Sequence, residues 1–194
     1  MSEELIDYAA WGERFFATAV TAERVLSGVN ALAGRPIDVG PLGVGPGRIA
    51  KVTATGTIGT ATGERVGSGP VAFRVELPVD LRFTIDFGMD KQRFDAGVTV
   101  PLVITARGRE DLAIVLEVTP PTAEEVVVDL TAQGLRAALT SRVANMEGEL
   151  RRFVAKYVAR EVGKPAVEQA TVIDVAGAID GAAARVVPRT EEPA

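Results

Sequence analysis

Histidine and cysteine are both absent from the 194 residues. Without them there is no disulfide, no Cys/His zinc site, no haem ligation by histidine and no histidine general base. Ser-His-Asp and Cys-His triads are excluded on the same ground. Catalysis would have to rest on Asp, Glu, Lys, Tyr or a carboxylate-bound metal. Long apolar runs are also missing: no stretch approaches the roughly 20 residues that span a bilayer. The start, Met1-Ser2-Glu3-Glu4-Leu5-Ile6-Asp7, has neither a basic region nor an apolar segment after it. It does not read as a secretory signal, and a cytoplasmic location is expected. A basic excess is lacking too. The net charge of −5 disfavours a general nucleic-acid binder, which must displace counterions from phosphates.

What the chain does have is apolar material in regular patterns. At 47% hydrophobic it can build a substantial core. Leu5, Tyr8, Phe15, Ala19, Ala22, Leu26, Val29 and Ala33 recur at a 3-4 spacing, widened by Trp11, Val25 and Leu32. This predicts one helix over residues 3–33, about 45 Å long at 1.5 Å per residue. Glu3, Glu4 and Asp7 suit its N-terminal dipole, and Gly34 with Pro36 stops it. Residues 34–47 read as a Gly/Pro connector between helix and sheet. They lack the preceding strand and the Gly-Lys-Ser/Thr of a phosphate loop.

The period then switches to two. Residues 50–58 alternate small or apolar with Lys51, Thr53, Thr55 and Thr57, and residues 62–65 read as a turn. Every odd position from Val71 to Phe87 is apolar, while the even ones include Arg74, Glu76, Asp80, Arg82 and Asp86. One face of a sheet therefore stays on the core throughout, with Pro78 marking a bend or an edge. Further alternating runs cover residues 98–106 and 112–118, and residues 126–130 make a last short strand. The short turns between them indicate an antiparallel meander. A second long helix is expected over residues 132–162, N-capped by Thr131 and closed by Gly163-Lys164-Pro165. Residues 166–181 fit a short strand or a short helix. The expected fold is α+β: two long helices and a long-stranded, curved antiparallel meander sheet. Residues 1–184 would form one domain, and residues 185–194 a disordered tail.

Long strands twist, and a sheet curling around a long helix can leave an elongated apolar groove suited to acyl chains. Phe73, Val75, Leu77, Leu81, Phe83, Ile85 and Phe87 are its candidate lining, with Phe15, Leu139, Met146 and Phe153 from the helices. Each of them also reads as ordinary core. Arg151, Arg152, Lys156 and Arg160 make the second helix basic toward its end. They suit anionic headgroups at a membrane surface, or equally a solvated helix face. Asp80, Asp86, Asp90 and Asp95 read as outer-face or turn charge, so no metal site and no catalytic residue is assigned.

The order of elements resembles the tubular lipid-binding superfamily, known as TULIP, which includes the bactericidal permeability-increasing protein and SMP domains. The matching stretches are residues 5–33, the run from Val71 to Phe87, and Leu135-Arg136-Ala137-Ala138-Leu139 through Val162. The resemblance is topological and covers most of the chain. It implies a non-catalytic carrier of a lipid or other apolar molecule, with no metal or redox cofactor. Two rivals stand beside it. One is an assembly protein that buries its amphipathic helices or a sheet edge against a copy of itself or a partner. The other is a START-like binder or enzyme of an apolar metabolite, which would need polar residues inside its pocket.

Overall fold

Two strands organise the molecule: β4 (Ala72–Asp86) and β5 (Lys91–Gly108), paired antiparallel along nearly their whole length. The computed structural model describes residues 5–44, 50–67, 69–86, 88, 91–132 and 140–186. The side chains of residues 42–44, 50, 132, 140–146 and 183–186 lie outside that description. Beside β4 run β2 (Ala50–Ile58) and β3 (Thr62–Val66), successive pieces of one line. Beside β5 run β6 (Ala113–Thr119) and β7 (Val127–Ala132), arranged the same way. β1 (Pro36–Val44) pairs with β2, and β8 (Val172–Asp174) with β6. All pairs are antiparallel, and the eight strands curl strongly into a half-barrel. The expected meander is present, with each outer line broken once.

Both breaks lie opposite a proline. Gly59 N–H donates to the Pro78 carbonyl at 2.8 Å, so the polar backbone side of Pro78 faces the β2–β3 gap. Pro101 falls between Val103, paired with Thr119 of β6, and Thr99, paired with Val127 of β7. Ala106 N–H donates to the Val71 carbonyl, so even residues of β5 face β4 and odd ones, Pro101 included, face the gap. A proline cannot donate to the ladder. Pro78 was expected at a bend or edge. It lies instead in a central strand, at the place where its neighbour is interrupted.

Several local expectations are corrected. Residues 62–65 are strand β3, not a turn; the turn is at residues 59–61. A β-carbon on Gly63 would come within 2.6 Å of the Arg74 carbonyl, so this glycine permits close strand approach. The Gly/Pro stretch contributes β1, which crosses a cis Gly40–Pro41 bond and a register shift between Val39 and Leu42. Thr131 belongs to β7 and caps no helix. Residues 166–181 hold both expected kinds of element, α4 (Pro165–Ala170) and β8, followed by α5 (Val175–Val186). α5 takes in residues 185 and 186, and the rest of the expected tail lies outside the described residues.

The N-terminal helix is divided. α1 (Tyr8–Ala19) ends at Val20, whose backbone is extended, and α2 (Ala22–Asn30) begins with Thr21 as N-cap. Thr21 Oγ accepts from Arg24 N–H at 3.3 Å, and Arg24 Nη1 donates to the Ala19 carbonyl at 2.8 Å. One short segment thus satisfies the end of α1 and the start of α2. The β-branched Val20-Thr21 pair favours this extended step over another helical turn. The second long helix, α3 (Thr140–Val162), packs against β7. No helix among the described residues is long and apolar enough to cross a membrane.

Candidate functional site

The concave face follows from strand parity. Phe73, Val75, Leu77, Val79, Leu81, Phe83 and Ile85 of β4 share it with even residues of β5, from Phe94 to Ala106. Across each pair one side chain of β4 meets one of β5, and Phe83 stacks on Phe94 with centroids 5.3 Å apart. Gln92, opposite Ile85, puts a polar group at one end of the face. The convex side carries Arg74, Glu76, Asp80 and Arg82 in solvent.

The sequence-derived lining divides as follows. Phe73, Val75, Leu81, Phe83 and Ile85 are buried in the core cluster, and Leu77 is half-buried against it. Phe15 and Phe153 reach the same cluster from α1 and α3 and remain half-buried. Phe87 and Leu139 lie outside the described residues, as does the side chain of Met146. The structure also adds residues that the parity run did not point to. Ile37, Val39 and Val52 of the first two strands, Leu130 of β7, and Leu150 and Val158 of α3 line the cluster half-buried. α1 and α4 bury no residue fully, and α2 buries only Val25. α3 adds Val154 and Ala155 to the buried set, and on the described inward face of β4 Leu77 alone is half-buried.

The basic residues of α3 share their charge with their own helix. Arg151 pairs with Glu147 one turn earlier, and Arg152 with Glu149 at 2.8 Å. Arg160 lies over the Tyr157 ring at 5.1 Å. Lys156 is exposed and makes no ion pair among the described residues. The Arg151 Nε is buried without a hydrogen-bond partner.

The acidic candidates are scattered over turns and the convex face. Asp95 pairs with Arg82 at 3.0 Å. Asp86 accepts from Gly88 N–H at 2.7 Å and pairs with Lys91 at 3.3 Å; these contacts lower its pKa. Asp90 lies outside the described residues. Asp111 is held at a pKa of about 2, chiefly by its hydrogen bonds from Arg109 across the β5–β6 turn. Among the described residues no group of three or more Asp or Glu is gathered where a metal ion could be held.

A cleft of about 460 Å³ opens elsewhere, at the edge of β6 beyond the end of β8. Val115 and Val118 of β6, Val162 of α3 and Val167 of α4 give it apolar walls, with Arg107 and Arg109 at the rim. Arg107 pairs with Glu117 at 3.1 Å. None of the sequence-derived lining residues borders this cleft. It arises because α4 folds back on the sheet, where the Thr171 carbonyl accepts Leu116 N–H at 2.9 Å.

These observations define an α+β protein with a half-barrel sheet and an apolar concave face against which helices pack. Comparison with models of known protein families, with curated proteins and with solved structures returned no match.

Proposed function

We propose that the protein is a non-catalytic binder or carrier of a lipid or similar apolar molecule, held between the concave face and the helices. The observation that carries this reading is an apolar, curved face ringed by half-buried apolar side chains from the neighbouring strands and α3. Leu77, Val52, Leu130, Leu150 and Phe153 remain half-buried around a fully buried floor. An acyl chain laid there would remove further apolar area from water, worth roughly 25 cal/mol per Å² before association costs. The lack of histidine and cysteine narrows the side chains that could act as acid, base or nucleophile, which favours the non-catalytic part.

Native mass spectrometry with organic extraction, on protein purified without detergent, tests the reading. An acyl-chain species at near-stoichiometric level is the expected result, and Leu77→Glu should release it. Clean protein that also takes up no fluorescent fatty acid or phospholipid overturns the proposal.

A further inference from the structure

The apolar stripe of α1 is only half covered. Phe15, Phe16 and Ala19, toward its C-terminal end, pack on the core. Tyr8 and Trp11 continue the same 3-4 spacing one and two turns earlier, yet Tyr8 is 96% exposed and Trp11 57%. Leu5, in the segment leading into the helix, is 95% exposed. Trp11 stacks on Phe15 with centroids 5.2 Å apart, so the overhanging part is continuous with the anchored part.

Charge borders this overhang on one side. Asp7 and Arg14 are seven residues apart, which at 3.6 residues per turn puts them nearly in line along the flank next to Trp11. Asp7 caps the helix through Oδ1, which accepts from Ala10 N–H at 2.8 Å, and the residue is exposed. Arg14 is exposed and makes no ion pair among the described residues.

We propose that this overhang is a homodimer contact, in which α1 lies antiparallel on α1 of a second copy about a two-fold axis beside Trp11. The midpoint between Asp7 and Arg14 falls next to Trp11. An antiparallel partner centred there sets each Asp7 against Arg14 of the second copy, twice over, as a two-fold interface requires. Tyr8 and Leu5 of each copy then cover the far end of the other's stripe. Leu5, Tyr8 and Trp11 offer on the order of 500 Å² per copy, given the roughly 150–250 Å² an aromatic side chain buries. Two copies thus reach about 1,000 Å², the lower bound of a specific interface. A bilayer surface would use the aromatics but not the reciprocal match of Asp7 to Arg14 across a two-fold axis. This proposal does not depend on the binding of an apolar ligand.

The full chain is followed by sedimentation velocity and by fluorescence of Trp11, its single tryptophan. Increasing concentration should convert monomer to dimer with a blue shift of Trp11 emission. Tyr8→Ala, at an exposed position, should raise the dissociation constant about tenfold or more without altering the circular dichroism spectrum. The decisive pair is Asp7→Lys and Arg14→Glu. Each variant alone places like charges together and should stay monomeric, while a mixture of the two restores both ion pairs and should give a heterodimer. Wild-type protein that stays monomeric at high micromolar concentration overturns the proposal. So does a dimer indifferent to Tyr8→Ala, or a mixture that fails to associate although both variants are folded. A Trp11 blue shift on phosphatidylcholine vesicles, in protein that sediments as monomer, would assign the overhang to membranes instead.

Discussion

On one side of the line through Pro78 and Pro101, the sheet half built from β3, β6 and β8 is tied down at many points. Asn30 at the end of α2 holds Ala61 through two hydrogen bonds, Gly108 meets the Phe16 ring, the Thr171 carbonyl after α4 accepts from Leu116 N–H, and α5 contacts β6. There Phe73 and Val75 are shut off from solvent almost completely. On the other side, the half built from β1, β2 and β7 meets α3 along β7. Its floor, Phe94 and Phe83, is buried as well, while Ile37, Val39, Val52 and Leu130 at its margin are half-buried, as Leu116 and Val118 of β6 are in the first half. The same two long strands run through both halves with the same parity. What differs is which helices cover each floor: α2 on β3 and α5 on β6 in the first half, α3 on β7 in the second. Strand parity sets the inward face of both halves, whereas the choice of covering helix is made by contacts between residues far apart in the chain.

The largest effect should come from removing the floor of the half built from β1, β2 and β7. Phe94 is 1% exposed and stacks on Phe83, so Phe94→Ala should cost about 3–5 kcal/mol in denaturant unfolding. A ligand-carrying preparation should lose its cargo in the same variant. A smaller and more local effect is expected in the half built from β3, β6 and β8. Asn30→Ala leaves the buried Ala61 N–H and carbonyl without their side-chain partner, costing about 1–3 kcal/mol. Amide exchange should rise in β3 and α2 and stay unchanged in β7. Equal acceleration in both halves would show that the Pro78/Pro101 line does not separate them.

The smallest effect is confined to the tip of the β5–β6 hairpin. Asp111 has its pKa lowered from 3.8 to about 2, so its pairing with Arg109 contributes stability above about pH 4 and loses it as pH falls toward 2. Exchange at residues 109–113 should therefore increase across that window, with an Asp111 NMR midpoint near 2. Asp111→Asn should abolish the pH dependence there. A midpoint near 4 would mean that the turn is not held by this pair. Leu112 at this tip has a positive φ of 61° and a largely exposed side chain, so the Asp111 bonds also hold a residue that resists the turn conformation.

Much of the architecture was legible because it rests on short-range rules. The run from Val71 to Phe87 reads as one face of a strand, and β4 is its direct expression, while β5 takes in the expected run at residues 98–106 and extends it back to Lys91. The helix break was harder to read. The 3-4 stripe passes through Val20 and Thr21 without interruption, because α2 continues along the same sheet side. The signals that were available were the β-branched pair and a capping threonine three residues before Arg24. β3 was hidden by Gly63, which resembles a turn residue in sequence but here allows close approach to β4. The candidate lining residues were legible as inward-facing, since parity decides that. How far each is covered was not, since cover depends on where α3 and α1 come to rest.

The sequence by itself determined the α+β class, the inward and outward faces of the long strands, and the exclusion of histidine and cysteine chemistry. Those follow from residue identity and from a side-chain period fixed by backbone geometry. Only the tertiary structure decided that the two outer strand lines break opposite Pro78 and Pro101, and that α4 folds back to make the cleft beside β6. It also decided that the stripe of α1 outruns the surface beneath it. These depend on contacts between residues far apart in the chain, whose geometry no local pattern encodes.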